Sequence, residues 1–145
     1  MSHIRIAQCS DAQELQKLND LFNGKSSHTL AAIQESLETN TKEIVYVATD
    51  NDQLVGFCCG QICKSMCYSI LYAEITELFV LDGYRRQGIG RQLLKSMESD
   101  LAKQDVRHFH ILTLKDNCAA QSLYRSLGYV VTSEILLDKT INLSI

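Results

Sequence analysis

Leu78-Phe79-Val80-Leu81-Asp82-Gly83-Tyr84-Arg85-Arg86-Gln87-Gly88-Ile89-Gly90-Arg91 is the most informative stretch of the chain. It opens at the end of a β-rich run, Ile70 to Val80, and closes where Leu93, Leu94, Met97 and Leu101 take up helical spacing. The stretch is therefore a strand-to-helix connection. Glycines at 88 and 90 let the backbone approach a ligand closely. The first turn of the helix offers unpaired N–H groups and the positive end of the helix dipole. Arg85, Arg86 and Arg91 add local positive charge. These features make an anion site, and phosphate is the usual occupant of such sites. A Walker loop is excluded, because GxxxxGK followed by Ser or Thr does not occur. A dinucleotide fingerprint would need a third glycine at position 93, which is Leu93. The bland alternative is a basic loop that only caps its helix.

Outward from this loop, strands and helices interleave. Ile4 to Ala7 reads as a short strand. Ser10 or Asp11 reads as a helix N-cap with Glu14 as its capping-box partner. Leu15, Leu18 and Phe22 mark a first helix, broken at Asn23-Gly24-Lys25-Ser26-Ser27, and Leu30, Ile33 and Leu37 mark a second. Ile44 to Ala48 and Leu54 to Cys59 form a hairpin about the turn Asp50-Asn51-Asp52-Gln53. Lys64 to Ser69 connects to the long strand Ile70 to Val80. Beyond the glycine loop and its helix come a strand from Phe109 to Leu114 and a helix from Asn117 to Leu127, with Gly128 as its C′ residue. Tyr129 to Val131 and Ile135 to Leu143 read as closing strands. The order βααβββαβαββ predicts an α/β fold with a mixed sheet and helices on its faces. No linker, repeat or low-complexity segment interrupts it, so residues 1–145 read as one domain.

Composition narrows the function. The chain has 145 residues, of which 46% are hydrophobic and 21% charged, enough for a core without disulfides or metal. A net charge of −3 argues against a broad nucleic-acid footprint. No apolar run reaches the roughly 18 residues of a membrane helix. Met1 to Ile6 lacks the apolar stretch of a signal peptide, which points to the cytoplasm, where thiols stay reduced. Cys9, Cys58, Cys59, Cys63, Cys67 and Cys118 include no CxxC pair, so buried or strand thiols are expected rather than a metal site.

The loop Arg85-x-x-Gly88-x-Gly90 after Leu78-Phe79-Val80 resembles the acyl-CoA signature of the GCN5-related N-acetyltransferases. Asn117-x-x-Ala120-x-x-Leu123-Tyr124-x-x-x-Gly128-Tyr129 resembles that family's second motif. The order of elements is similar over nearly the whole chain, and Asp82-Gly83 stands where the family commonly has a proline. The resemblance implies a sheet whose long central strand bulges and splays from its parallel neighbour, with the cosubstrate acetyl-CoA in the opening. It implies that Leu78, Phe79 and Val80 line the pantetheine arm, with the N–H groups of Leu78 and Val80 donating to the arm and the thioester. It implies that the backbone of Arg86, Gln87, Gly88, Ile89, Gly90 and Arg91 holds the pyrophosphate, with Arg85 in the same motif. Asn117 would reach the pantetheine through its amide, or cap its helix, or both. No metal takes part.

The implied reaction is direct attack by a neutral amine on the thioester. An alkyl ammonium has a pKa near ~10, so a base must remove a proton at neutral pH. Glu74, in Ala73-Glu74-Ile75, is similar in setting to the catalytic glutamate of the histone-acetylating branch. Glu77 is the second candidate, and a water chain the third. Strand alternation puts the two on opposite faces unless a bulge intervenes, and in an unbroken strand Glu74 shares a face with Leu78 and Val80. Tyr124 matches the family's general acid; the alternative is a core tyrosine. His108 and His110 read as structural or exposed. The acceptor would lie against Leu21 to Leu37 and Ser133 to Leu143, on a side made acidic by Asp20, Glu74 and Glu77. A small cationic amine is the first choice of acceptor and a peptide or protein amine the second. A non-catalytic acyl-CoA sensor and a phosphate-binding module are the readings from other classes. A C-terminal edge strand offers a surface for a homodimer.

Overall fold

A computed structural model describes residues 1–25 and 28–142. The chain divides into two compact units, Met1–Leu112 and Thr113–Ile145. The first holds β1 (His3–Ile6), α1 (Ala12–Asn23), α2 (Leu30–Thr39), β2 (Glu43–Asp50), β3 (Gln53–Cys63), β4 (Leu71–Val80), α3 (Ile89–Lys103) and β5 (Val106–Ile111). The sheet runs in sequence order, β1-β2-β3-β4-β5. Every neighbouring pair is antiparallel except β4 and β5, which are parallel and joined through α3.

Each face of the sheet has its own apolar cover. On one face Leu15 and Leu18 of α1 pack with Val47, Leu54, Phe57 and Phe79, and Ile33 and Leu37 of α2 flank them. Phe22 extends this cluster, with ring centroids 5.2 Å from Phe79 and 6.2 Å from Phe57. The residues that repeat at helical spacing are those that pack. On the other face α3 buries Leu93, Leu94, Met97 and Leu101 completely. Gly60 admits that helix: a Cβ there would meet the Met97 sulfur at 2.6 Å. The β2–β3 turn has Asn51 and Asp52 at φ 48° and 64°, the left-handed pair that a tight hairpin requires.

Several expectations need correction. The N-cap of α1 is Asp11, but its side chain makes no cap bond; it accepts from the Gln8 N–H at 2.7 Å and pairs with Arg5. Glu14 does not close a capping box either, because its carboxylate accepts from the Leu54 N–H at 2.9 Å, tying α1 to β3. β5 runs from Val106 to Ile111 rather than from Phe109 to Leu114, and Leu112 and Leu114 are exposed. The second unit holds α4 (Cys118–Ser126), followed by Gly128 at φ 96°. Tyr129 to Val131 and Ile135 to 142 form no strand. A strand needs a ladder partner, and the apolar residues here, Val130, Val131, Ile135, Leu136, Leu137 and Ile141, are exposed. The homodimer surface expected of a C-terminal strand loses its basis with it. Leu143, like Ser26 and Ser27, lies outside the described residues.

Candidate active site

A single extra residue shapes the centre of the site. Gly60 pairs with Ile75 and Cys59 with Glu77, so Thr76 is left over as a bulge in β4. Its hydroxyl donates to the Cys59 carbonyl at 3.3 Å. The extra residue reverses the alternation beyond it. Gln61 and Cys59 are two apart on β3 and face the same way, so their partners Glu74 and Glu77 share one face of the sheet. That face also carries Phe79. Leu78 and Val80 fall on the other face, apart from Glu74, because the strand is not unbroken.

The same point in the chain opens the sheet. Parallel pairing of β4 with β5 ends at Ile75 and Ile111. Beyond it β4 continues to Val80 with β3 alone on one side. The Leu81 N–H donates to the Val55 carbonyl of β3 at 2.9 Å. Strand alternation therefore turns the peptide groups of Leu78 and Val80 away from β3, toward the edge that β5 has left. The Val80 carbonyl on that edge accepts from Arg85 Nε at 2.8 Å.

The loop after β4 is built for tight reversal. Asp82–Tyr84 makes one turn of 3-10 helix. Arg86 follows at φ 61° and Gly88 at φ 83°, the latter as the N-cap of α3. The first intrahelical bond runs from the Gln92 N–H to the Gly88 carbonyl. The N–H groups of Ile89, Gly90 and Arg91 therefore have no acceptor within the helix. The Gln87 amide donates to the Gly83 carbonyl at 3.3 Å and braces the loop. Arg85 braces it too: besides its bond to Val80 it pairs with Asp82 at 2.7 Å, and its guanidinium lies 5.7 Å from the centre of the Phe79 ring. The Arg86 side chain is exposed and that of Arg91 half-buried. A cleft of about 530 Å³ lies between Leu21 of α1 and the stretch from Phe79 through Arg85.

The two carboxylates differ in their surroundings. Glu74 pairs in register with Gln61 on one side and His110 on the other. Glu77 is half-buried; burial pushes its carboxyl above the ordinary range, the Asn23 amide opposes this, and the negative charge of Glu43 adds to it. Cys59, beside Glu77, is pushed well above the usual thiol range, first by burial and then by Glu43, Cys58 and Glu77. Cys58, buried under α3, is pushed up to about 12 by burial and by Glu98. Both thiols are therefore protonated at neutral pH and are poor nucleophiles. One oxygen of Asp20 is buried without a hydrogen-bond partner. His108 and His110 are exposed, with their rings edge to face at 4.7 Å.

Asn117 and Tyr124 belong to the second unit. The Asn117 side-chain oxygen accepts from the Ala120 N–H at 3.2 Å and caps α4, which leaves its two amide hydrogens for another partner. Tyr124 is half-buried, its ring 6.1 Å from that of Tyr129, and its carbonyl accepts from the Tyr129 N–H. Glu43 was not expected from the sequence. The alternation Glu43-x-Val45-x-Val47 into a buried face is the signal that places it. Among the described residues no cluster of three His, Cys, Asp or Glu side chains has metal-holding geometry, and no helix is long and apolar enough to cross a membrane.

A family model described as acetyltransferase (GNAT) domain matches residues 41–131. An uncharacterized N-acetyltransferase of Chlorobaculum tepidum is 25% identical over 126 residues, 87% of this chain and 74% of its own length. The [ribosomal protein bS18]-alanine N-acetyltransferase of Escherichia coli is 27% identical over 105 residues, 71% of this chain and 67% of its own. Among solved structures, an aminoglycoside acetyltransferase from an uncultured soil metagenomic sample, in complex with sisomicin, superposes with a TM-score of 0.84. It shares 17% identity, over 97% of this chain and 96% of that one. The aminoglycoside acetyltransferase AAC(6')-Iy, in complex with a bisubstrate analogue of CoA and acetylneamine, gives 0.82 at 19% identity, over 98% and 99%. At these identities the superpositions speak to the fold.

Proposed function

The chain belongs to the GCN5-related N-acetyltransferase family, and from that premise we propose that it moves an acetyl group from acetyl-CoA to a primary amine by direct attack in a ternary complex. The observation that carries the proposal is the loop from Arg86 to Arg91. Its left-handed residues and the N-terminal turn of α3, whose first N–H groups point out of the helix, form a cradle for a pyrophosphate beside the open edge of β4. The chemistry of that cradle fits the donor. Leu78 and Val80 would donate their N–H groups to the arm and to the thioester oxygen, on which charge grows during attack. Arg85 would hold the turn in shape rather than bind phosphate through its side chain, since Val80 and Asp82 engage it. Asn117 would cap α4 and spend its amide hydrogens on the pantetheine.

Glu77 is our base, in place of Glu74. It sits one residue beyond the bulge, half-buried, with its proton affinity raised by burial. A carboxyl raised toward neutral pH is better matched to removing a proton from an ammonium. Tyr124 would protonate the departing thiolate. A thiol pKa near ~8.5 makes that help worthwhile without making it indispensable. The high proton affinity of Cys59 favours direct attack over an acetyl-cysteine intermediate.

For the acceptor, the cleft of about 530 Å³ and the carboxylates on its side of the sheet favour a small cationic amine. A peptide amine is the second reading, favoured by the bS18-alanine acetyltransferase among the relatives. The test is thiol release from acetyl-CoA with aminoglycosides, polyamines, amino acids and alanine-terminated peptides. Amine-dependent release by the wild type, lost by 10²-fold or more in Glu77→Gln, is expected. Tight CoA binding without release from any amine would move the protein to the sensor class.

A further inference from the structure

We propose that Glu43, at the start of β2, is a positioning residue for Glu77, holding a second negative charge on the same sheet face so that Glu77 takes up a proton more readily. The proposal rests on Glu77 being the base. Glu43 stands opposite Gln61, and two residues on Val45 stands opposite Cys59, which stands opposite Glu77. Alternation puts Glu43, Val45, Gln61, Cys59 and Glu77 on one face. Glu77 thus stands directly across from Cys59 and Glu43 diagonally across from it on the other side, and both are half-buried.

Among the described residues, no cation figures in the electrostatics of either carboxylate. From β3 come the protonated Cys59 thiol and the Gln61 amide; from α1 comes the Asn23 amide; along β4 the face carries Glu74; β5 has already left the ladder. Burial raises Glu43, and the Gln61 amide opposes this by bonding its charged form. The Glu43 charge in turn acts on Glu77. Two like charges in a partly dried setting favour taking up a proton at one of them. The two amides act against burial: Asn23 favours the charged form of Glu77 and Gln61 that of Glu43. A base held this way accepts the ammonium proton at a higher pH than an isolated strand glutamate would.

The test is carbon-13 NMR of the glutamate carboxyls across pH, on the full chain, with Glu43 and Glu77 identified by their loss in Glu43→Gln and Glu77→Gln. Glu43→Gln should lower the Glu77 midpoint by roughly half a pH unit or more. By linkage, Glu77→Gln should lower the Glu43 midpoint equally. This second variant serves if Glu43→Gln does not fold. The acidic limb of kcat/KM, read by thiol release with sisomicin or an alanine-terminated peptide, should move down with the Glu77 midpoint. A purely structural role for Glu43 would leave that limb in place. Unmoved midpoints in either variant overturn the proposal even if Glu77→Gln is inactive. Moved midpoints with full activity in Glu77→Gln would uphold the coupling and reject Glu77 as the base.

Discussion

A half-buried carboxyl one residue past a bulge, as the proposed base, would give the enzyme a characteristic pH response. Burial raises Glu77, so its charged form is lost at a higher pH than for a free glutamate. Activity should be full above the raised value and fall tenfold per pH unit below it, with Glu74→Gln keeping most of the wild-type rate. A limb that vanished in Glu74→Gln and persisted in Glu77→Gln would return the role to Glu74. Tyr124→Phe should lower turnover roughly 10- to 10³-fold with little change in CoA affinity. An unchanged turnover number would take Tyr124 out of the chemistry. At this scale the sequence displayed the candidates but not their orientation. Whether Glu74 and Glu77 share a face depends on Thr76 being skipped, and that slip is set by pairing with β3. Glu43 was hidden because one acidic residue at a strand start carries no signal until its row is known.

At the scale of the elements, two glycines make separable predictions. Gly88 adopts φ 83°, where an alanine is strained by about 1 kcal/mol. The loop can relieve that only by moving its N–H groups. Gly88→Ala should therefore weaken acetyl-CoA binding about tenfold in calorimetry, with thermal stability changed by only a few degrees. Gly56 faces β4 so closely that a Cβ would meet the Phe79 carbonyl oxygen at 2.8 Å. Gly56→Ala must push the end of β4 outward, and a loss of about 1–3 kcal/mol in urea unfolding is expected. The strand-loop-helix unit was legible because β-rich residues, glycines and helical spacing follow one another without ambiguity. The closing segments were not legible for the opposite reason. Val130, Val131 and Ile135 to Leu137 have strand composition, but composition does not supply a partner.

For the whole molecule, the order of elements and the alternation of apolar faces sufficed to indicate a mixed sheet with helices on both faces. What they left out is how the N-terminus is fastened. Arg5 grips Asp11 with two bonds, at 2.7 and 2.9 Å, and the Gln8 N–H adds a third at 2.7 Å. The Arg5 hydrogen bond holds Asp11 below the usual carboxylate range, against the cost of burial. The stability from this knot is present above the ordinary carboxylate value and is lost as pH falls through the lowered one. Asp11→Asn should cost about 2 kcal/mol at neutral pH in urea unfolding, with the gap to wild type closing toward low pH. A gap independent of pH would mean that the charge of Asp11 is not what matters. The decisive experiment follows the acetyl group itself, with isotope-labelled acetyl-CoA, an amine that releases thiol, and mass spectrometry of every product. Label on the amine, one free CoA per acetylated amine and none on the protein is the expected result. Label held on a cysteine of the chain, or left on CoA while the protein binds it, would contradict direct transfer.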